Sequence, residues 1–378
     1  GTDSGFVILR MDSVGVIGST SYHVFADSDT TGSRVIRVRT QSFGADSLIV
    51  WAVHRSGQSG GGIPSVSRWS SRFPAEWYPY QKNQFTNDVG FIGDSVLFLQ
   101  NNGVRLTPND LDPTTYMVIV DSIDNTVVVS ENNPLYARDS VFCMQLYGDT
   151  LVFGTGRGIA ISQDRGKTFR VYQAQVDSTV PDFVAQHTWS STRHVLIGEP
   201  ITNGLTGDFI PAMGITYIPD SAAHIFASCR PVDSSHYDGV SWGRVVLDTV
   251  NSVVIKTYRW DPIYEDNFAW NIETFRDTAF LPTDDGLVLL PDYTASAPLA
   301  DTVAFLDSVN NILIEPGTPV YAARVSDSFL WVGTDDGMVR VNLLNPDDQR
   351  LYRVVDPTDV VYAFPTPFSP QRGELLDF

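Results

Sequence analysis

Residues 148–169 read GDTLVFGTGRGIAISQDRGKTF, and this stretch decides the fold. Its first apolar run, residues 151–153, lies between an Asp-Thr turn and a glycine-rich segment at residues 154–158. A second apolar run follows at residues 159–161. Short apolar runs bounded by glycine and aspartate are typical of β-strands joined in a hairpin. The stretch therefore predicts two adjacent antiparallel strands, followed by a further turn at residues 162–169.

The same kind of hairpin recurs along the chain, and pairs of Asp with Ser or Thr mark where its strands begin. The runs that follow are rich in β-branched and aromatic residues, and no segment has convincing helical periodicity. Repeats of about 40–50 residues, each a four-stranded sheet, are the unit of a β-propeller. We therefore predict an all-β fold, a seven-bladed β-propeller of four-stranded antiparallel blades over residues 1–356, with six or eight blades as alternatives. The seven markers are Asp12-Ser13, Asp46-Ser47, Asp94-Ser95, Asp149-Thr150, Asp220-Ser221, Asp277-Thr278 and Asp327-Ser328.

Two further Asp pairs and one long interval belong to the same repeat pattern. Asp139-Ser140 and Asp301-Thr302 also introduce apolar runs, and we assign them to other strands of the same blades. The longest interval between markers contains residues 188–209. This segment either decorates the fourth blade or forms a small blade of its own.

The composition is that of an acidic globular protein. The 378 residues are 43% hydrophobic, and 25 Lys and Arg stand against 44 Asp and Glu, which gives a net charge of −19. This charge repels phosphate backbones and anionic lipid, so we expect neither nucleic acid nor a membrane surface as a partner. No apolar run approaches the roughly 18 residues of a membrane span. Cys143 and Cys229 both lie in apolar strand-like runs, where two buried thiols and one long-range disulfide are equally open.

The turn at residues 162–169 has the spacing Ser-x-Asp-x-Gly-x-Thr-Phe, which resembles the Asp-box of sialidase-like β-propellers. In those families the box is structural, because the Asp accepts backbone N–H groups and the aromatic residue packs under the hairpin. The last repeat, with Gly-Thr-Asp-Asp-Gly between two strands, resembles the repeats of two-component-regulator-type propellers. Both resemblances imply a propeller and no particular chemistry. The residues that match the box are Ser162, Asp164, Gly166, Thr168 and Phe169.

Residues 364–370, FPTPFSP, resemble the Tyr-Pro-Asn-Pro-Phe-Asn-Pro opening of C-terminal immunoglobulin-like domains of the hook-capping or type IX sorting kind. Phe364, Thr366 and Ser369 depart from that pattern. Prolines at alternate positions keep a strand extended and prevent pairing on one edge. The resemblance implies that residues 357–378 are a Pro-rich linker or the first strand of such a domain, on a secreted bacterial surface protein. A plain Pro-rich tail is the alternative.

Propeller geometry predicts where a ligand binds. The loops between the second and third strands of the blades face one rim of the central channel, a common position for ligands. We expect these loops to form the contact surface. Their polar residues are His54, Arg55, Asn101, Asn102, Arg157, Arg230, Asp284, Asp285, Asp335 and Asp336.

Motifs for catalysis fit their contexts poorly. Residues 57–61, GQSGG, match G-x-S-x-G near His54, but a nucleophile elbow needs a following helix, and residues 62–69 predict a strand. The arginine motif that opens sialidase sequences has its nearest counterpart in Ser71-Arg72-Phe73-Pro74, which departs at the middle residue. The six histidines lack zinc-binding spacing. We predict no catalytic residue.

Acidic turns are the candidates for a metal site. The Asp-Asp-Gly turns at 284–286 and 335–337, and the acidic stretches at 27–29 and 109–112, could supply oxygen ligands to calcium. Asp and Gly are also the usual residues of tight turns. We expect no metal and no cofactor, with calcium as the alternative.

These patterns predict a secreted or cell-surface bacterial β-propeller that serves as a non-catalytic binding or structural module for a protein or glycan. The alternative is a carbohydrate-active propeller enzyme, either a glycoside hydrolase, including a sialidase, or a lyase. A convergent cluster of acids, or of Arg with Tyr, at the channel mouth would distinguish that enzyme. The sensor propeller of an intracellular regulator is a third hypothesis.

Overall fold

The computed structural model describes a chain built from β-strands. The described ranges contain no helix, and therefore none long and apolar enough to cross a membrane. The chain divides into two compact units, Gly1–Ile272 and Glu273–Phe378. The described residues are 5–11, 17–24, 35–43, 47–54, 64–71, 73–82, 85–93, 95–101, 103–108, 140–147, 150–156, 158–162, 168–173, 186–188, 195–196, 201–202, 205–218, 222–231, 238–248, 254–264, 267–291, 293, 300–307 and 309–352.

The first unit consists of antiparallel sheets whose strands pair in chain order. Strands 3–6 and 17–20 form four-stranded sheets, strands 10–13 are the first four of a seven-stranded sheet, strands 7–9 form a three-stranded sheet, and strands 1 and 2 form a hairpin. The strands are β1 (Gly5–Met11), β2 (Ile17–Val24), β3 (Val35–Phe43), β4 (Ser47–His54), β5 (Pro64–Ser70), β6 (Phe73–Lys82), β7 (Thr86–Ile92), β8 (Ser95–Gln100), β9 (Gly103–Pro108), β10 (Val141–Tyr147), β11 (Thr150–Thr155), β12 (Gly158–Ser162), β13 (Thr168–Gln173), β14 (Gln186–Thr188), β15 (Val195–Leu196), β16 (Ile201–Thr202), β17 (Phe209–Ile218), β18 (Ala222–Arg230), β19 (Gly239–Asp248) and β20 (Val254–Tyr264).

The second unit repeats this plan. Strands 21–24 and 27–30 form four-stranded sheets, with a two-stranded sheet of strands 25 and 26 between them in sequence. The strands are β21 (Glu273–Phe275), β22 (Thr278–Thr283), β23 (Gly286–Leu290), β24 (Asp301–Thr302), β25 (Phe305–Leu306), β26 (Ile312–Ile314), β27 (Val320–Ser326), β28 (Phe329–Thr334), β29 (Gly337–Asn342) and β30 (Gln349–Tyr352).

Successive four-stranded antiparallel sheets are the blades of a β-propeller. The all-β β-propeller prediction is confirmed, and the described residues contain five blades with four paired strands. A total of seven stays a prediction. The predicted boundary at residue 356 and the C-terminal segment 357–378 lie outside the described residues.

The Asp-Ser and Asp-Thr markers identify one strand of each blade. Ser47, Ser95, Thr150 and Thr278 are the first residues of β4, β8, β11 and β22. Ser221 and Ser328 immediately precede β18 and β28. Six markers therefore begin the second strand of a sheet, and Asp12-Ser13 lies outside the described residues.

Three of these markers share one kind of turn. Gly93, Arg276 and Asp327 are the first residues of three two-residue turns, and each has a φ between 54° and 56°. Hairpins of this length favour left-handed turn residues because their twist matches that of the strands. Only Asp327 is both a marker residue and left-handed, a conformation that Asp and Gly tolerate better than most residues do.

The long interval after Asp149 decorates a blade. Strands β14, β15 and β16 all join the sheet of β10–β13, with β16 pairing parallel to β13. The two further Asp pairs also belong to existing blades. Ser140 immediately precedes β10, and Asp301-Thr302 forms β24.

The apolar core lies between neighbouring blades. Trp51 of β4 contacts Phe98 of β8 edge-on, with 5.8 Å between ring centroids. Leu99 of β8 packs in one cluster with Phe153 of β11, and Val152 of β11 packs with Ile225 of β18. In the second unit one cluster joins the sheets of strands 21–24, 25–26 and 27–30. Burial of both faces of most blades explains the apolar runs of the sequence.

The loop of the β25–β26 hairpin provides an acid-sensitive test of local stability. Asp307 accepts the N–H groups of Val309 and Asn311 at 2.9 and 2.8 Å and the Asn311 side-chain amide at 2.8 Å. The Asn311 hydrogen bonds lower the pKa of Asp307 below its ordinary value of 3.8. A carboxyl whose pKa is lowered on folding stabilises the fold above its unfolded pKa, and this contribution is lost as pH falls through its folded pKa.

Replacing Asp307 with alanine should therefore lower the melting temperature at pH 7. The difference from wild type should shrink as pH falls from about 4 through the lowered pKa of folded Asp307, where the carboxyl becomes protonated in the folded protein as well. Thermal unfolding of both proteins between pH 2.5 and 7 measures this convergence. A difference that stays constant across the range would show that the Asp307 charge does not stabilise the hairpin.

Candidate functional site

Seven of the ten predicted contact residues are described, and they lie at the end of a second strand or in the turn between a second and a third strand. His54 and Arg230 end second strands, and Asn101 follows β8 directly. Asp284-Asp285 and Asp335-Asp336 join β22 to β23 and β28 to β29. Arg55, Asn102 and Arg157 lie outside the described residues.

Three of these turns share one hydrogen-bond pattern. Thr155, Thr283 and Thr334 donate their hydroxyls to the carbonyl of the glycine three residues later, at 2.8, 2.9 and 3.0 Å. The glycines have φ of 101°, 119° and 135°, which favours glycine. In the last two turns the threonine oxygen also accepts the N–H of the second aspartate at 3.2 Å. Thr-x-x-Gly thus forms the turn by itself, and all four aspartates of the last two turns are exposed.

The His54 side chain is buried. It is 3% exposed, and its Nε2 lies 2.9 Å from the Ser67 hydroxyl on the paired strand β5. A ligand contact by His54 stays a prediction.

Polar residues at the turns of the first unit contact the neighbouring blade. The Asn101 carbonyl accepts a hydrogen bond from Ser140, just before β10, at 3.1 Å. The Arg230 guanidinium lies 4.3 Å from the centroid of the Phe268 ring, in the segment that follows β20. Arg230 also pairs with Asp238 at 3.4 Å, within the loop that joins β18 to β19. The Ser140 contact thus joins two blades, whereas the ion pair of Arg230 lies within one.

The first strands carry a charged cluster that the sequence analysis missed. Arg39 of β3 binds Asp88 of β7 through two nitrogens, with Nε 2.9 Å from one carboxylate oxygen and Nη2 in contact with the other. Asp88 is 1% exposed, whereas the Arg39 side chain is 40% exposed. Arg37 donates to the Trp270 carbonyl at 3.1 Å. Desolvation lowers the pKa of Arg37 below its ordinary value, while the Asp88 charge partly offsets this effect.

The sequence indicates the arginine part of this cluster through the alternation Arg37-Val38-Arg39. Arginine at every second position places both guanidinium groups on one face of a strand. No pattern in the sequence identifies Asp88 as the partner, because 49 residues separate it from Arg39. The cluster joins two blades by a bidentate ion pair.

The cysteines are free thiols, so the alternative of a disulfide is not realised. Cys143 and Cys229 are buried in the same apolar cluster. Burial raises the pKa of Cys143 to about 12 and also raises that of Cys229. A buried, protonated thiol is a poor nucleophile, so both act as small apolar residues.

Several metal and catalytic candidates lie outside the described residues. Within the described ranges no three His, Cys, Asp or Glu side chains come together as a metal site. The acidic stretches at 27–29 and 109–112 and the GQSGG segment lie outside those ranges. So do Arg72 and the two central Asp-box residues, Asp164 and Gly166, while Ser162 ends β12 and Thr168 begins β13. The Asp-box stays a prediction.

The fold and contacts define an all-β protein of the β-propeller class. No protein-family model matches the sequence, and no curated protein matches it. Solved structures that resemble it include PorZ, an essential surface component of the type-IX secretion system of Porphyromonas gingivalis. That match has 11% identity and a TM-score of 0.47 and covers 88% of this chain and 44% of PorZ.

Two further structures resemble the chain at similar levels. The extracellular domain of a putative hybrid two-component system from B. thetaiotaomicron has 12% identity and a TM-score of 0.40, with 95% of this chain and 47% of that chain covered. The Pan2 WD40 domain of Neurospora crassa has 9% identity and a TM-score of 0.42, with coverage of 85% and 80%. The chain thus spans less than half of the PorZ chain and of that extracellular domain.

Proposed function

We propose that this chain is a non-catalytic binding or structural module that acts outside the cell, on a bacterial surface, with a protein or glycan as its ligand. The extracellular assignment is supported by the resemblance of residues 364–370 to the opening of a sorting-type domain. The net charge of −19 opposes nucleic acid as a partner.

The proposal rests on one observation: polar side chains of the first strands bind groups in neighbouring blades. Arg39 and Asp88 bind each other across two blades. Gln145 of β10 donates to the Met213 carbonyl of β17 at 2.7 Å. Such groups stabilise the contacts between blades, whereas a catalytic centre would need them directed at a substrate.

The acidic residues of these strands also do not fit a glycoside hydrolase. It needs two carboxyl groups about 5–10 Å apart in an accessible cleft. On the first strands of the first unit, Asp88 is buried and bound to Arg39. These contacts favour binding over hydrolysis.

The exposed Asp-Asp turns are the proposed contact groups. Asp335 and Asp336 are exposed, and their turn is held by Thr334 independently of the carboxylates. Carboxylates accept hydrogen bonds from sugar hydroxyls and pair with basic side chains of proteins. Asp335 and Asp336 can therefore bind a ligand without breaking the hydrogen bonds that form the turn.

Removing both charges should weaken ligand binding by about tenfold or more, as expected for the loss of charge-assisted hydrogen bonds. The wild-type chain would be screened against a glycan array, bacterial envelope proteins and a panel of chromogenic glycosides. Each ligand found would be retested with Asp335→Asn/Asp336→Asn.

The matched control is Asp301→Asn/Glu315→Gln, which removes two exposed acids elsewhere in the same unit. Binding that the control retains and the turn variant loses would support the proposal. Turnover of any glycoside by the wild type would reject the non-catalytic assignment. Equal affinity of the turn variant and wild type would reject these turns as the contact surface.

A further inference from the structure

Among the second strands whose burial is described, β28 in the blade of strands 27–30 differs in having one incompletely covered face. In β11 all six residues are buried. In β28, the equivalent second strand, Leu330 and Val332 are buried, while Phe329, Trp331 and Gly333 between them are partly exposed. Alternating burial marks a sheet that packs on one face only.

A row of arginines and tryptophan crosses this face. Arg324 lies directly opposite Trp331, Trp331 opposite Arg340, and Arg340 opposite Arg350. Directly paired residues in antiparallel strands share a face. Three strand spacings of about 4.8 Å put the two end arginines about 14 Å apart along the row.

The two end arginines are accessible, whereas the central one is structural. Arg340 is buried beside Phe329, with 4.6 Å from its guanidinium to the ring centroid, and it pairs with Asp348 at 3.4 Å. The Arg324 side chain is 79% exposed although one nitrogen binds Glu273. The Arg350 side chain is 50% exposed, and its Nε lies 3.6 Å from the Asp348 carboxylate. Three arginines thus share two carboxylates, Glu273 and Asp348, which leaves the row with one net positive charge.

The aromatic side chains complete the face. Trp331 is partly exposed, and its ring centroid lies 5.9 Å from that of Tyr352 on β30, with the planes 33° apart. Flat aromatic rings pack against the apolar C–H face of a sugar ring. Guanidinium groups bind carboxylates through paired hydrogen bonds.

We propose that this face binds a short acidic oligosaccharide, with sugar rings packed on Trp331 and uronate carboxylates bound by Arg324 and Arg350. The proposal deepens the proposed function by naming a class of glycan, and it rests on the chain being a binding module. Its site is separate from the Asp-Asp turns.

The charge of the protein limits the ligand to a short one. The net charge of −19 repels a long polyanion along its whole length. At physiological ionic strength, charges farther apart than about 8 Å are largely screened. A ligand the size of the sheet face therefore interacts mainly with the local arginines.

The test is titration of the full chain with trigalacturonate, with neutral maltotriose as the comparison sugar. We expect binding of trigalacturonate at least about tenfold tighter than of maltotriose, and weaker at higher salt. Arg324→Gln/Arg350→Gln should reduce that affinity about tenfold. Arg276→Gln, which changes an exposed arginine in the turn between β21 and β22, should leave it unchanged.

The turn variant Asp335→Asn/Asp336→Asn separates the two proposals. The face assigned here predicts that this variant retains trigalacturonate binding, even if it loses the ligand found by screening. Equal affinity for the two sugars, or wild-type affinity in the double arginine variant, would overturn the oligosaccharide site. Light scattering that shows a dimer dissociated by the double arginine variant would assign the face to a second copy and overturn it as well.

Discussion

Replacing Arg39 with methionine is expected to lower the free energy of unfolding by about 3 kcal/mol, because it leaves the buried carboxylate of Asp88 without its bidentate partner. Methionine keeps much of the apolar stem, so the loss reports mainly on charge. Urea unfolding followed by tryptophan fluorescence measures it, since a change in midpoint at constant slope is a change in stability.

A second substitution tests the mechanism. Asp88→Asn in the Arg39→Met background removes the uncompensated charge and should recover part of the loss. Arg39→Lys keeps the charge but not the planar two-nitrogen geometry, so it should fall between wild type and methionine. If Arg39→Met lies within about 0.5 kcal/mol of wild type, the value typical of ordinary surface positions, the ion pair does not hold these blades together.

Local chemistry explains what the sequence could predict. The hairpin at residues 148–161 forms as expected because turn conformations and period-two patterns act within a few residues. The Thr-x-x-Gly turns at 283–286 and 334–337 are equally local, since the threonine hydroxyl and the glycine conformation suffice to form them. The positions of the predicted contact residues along the chain followed from that pattern.

Long-range contacts account for what the sequence could not predict. Arg39 and Asp88 belong to different blades, and only the packing of those blades brings them together. The buried His54 side chain bonds to Ser67 of the adjacent strand, a contact that no local pattern indicates. Which blade keeps an open face depends on what packs beside it, and the strand itself gives no sign of it.

The strands β11 and β28 show how coverage by neighbouring residues differs between similar sequences. Both are second strands that end in glycine followed by threonine. A Cβ added to Gly154 of β11 would lie 2.5 Å from the Cys143 sulfur and 2.8 Å from the Ile210 carbonyl oxygen. A Cβ added to Gly333 of β28 would meet nothing closer than the Ala322 Cβ at 3.8 Å. The space beside Gly154 is filled by Cys143 of the same sheet and Ile210 of the neighbouring blade. The space beside Gly333 is open.

Gly154→Ala is therefore expected to lower the free energy of unfolding by about 3 kcal/mol, at the upper end of the cost of overpacking, because a backbone oxygen must move. Gly333→Ala should leave stability unchanged or raise it by up to about 1 kcal/mol, since alanine loses less conformational entropy in a strand than glycine. Urea unfolding of the two variants and wild type under one condition makes the comparison. Similar losses in both would mean that the face of β28 is as tightly covered as that of β11, and the oligosaccharide site would then have no surface on which to form.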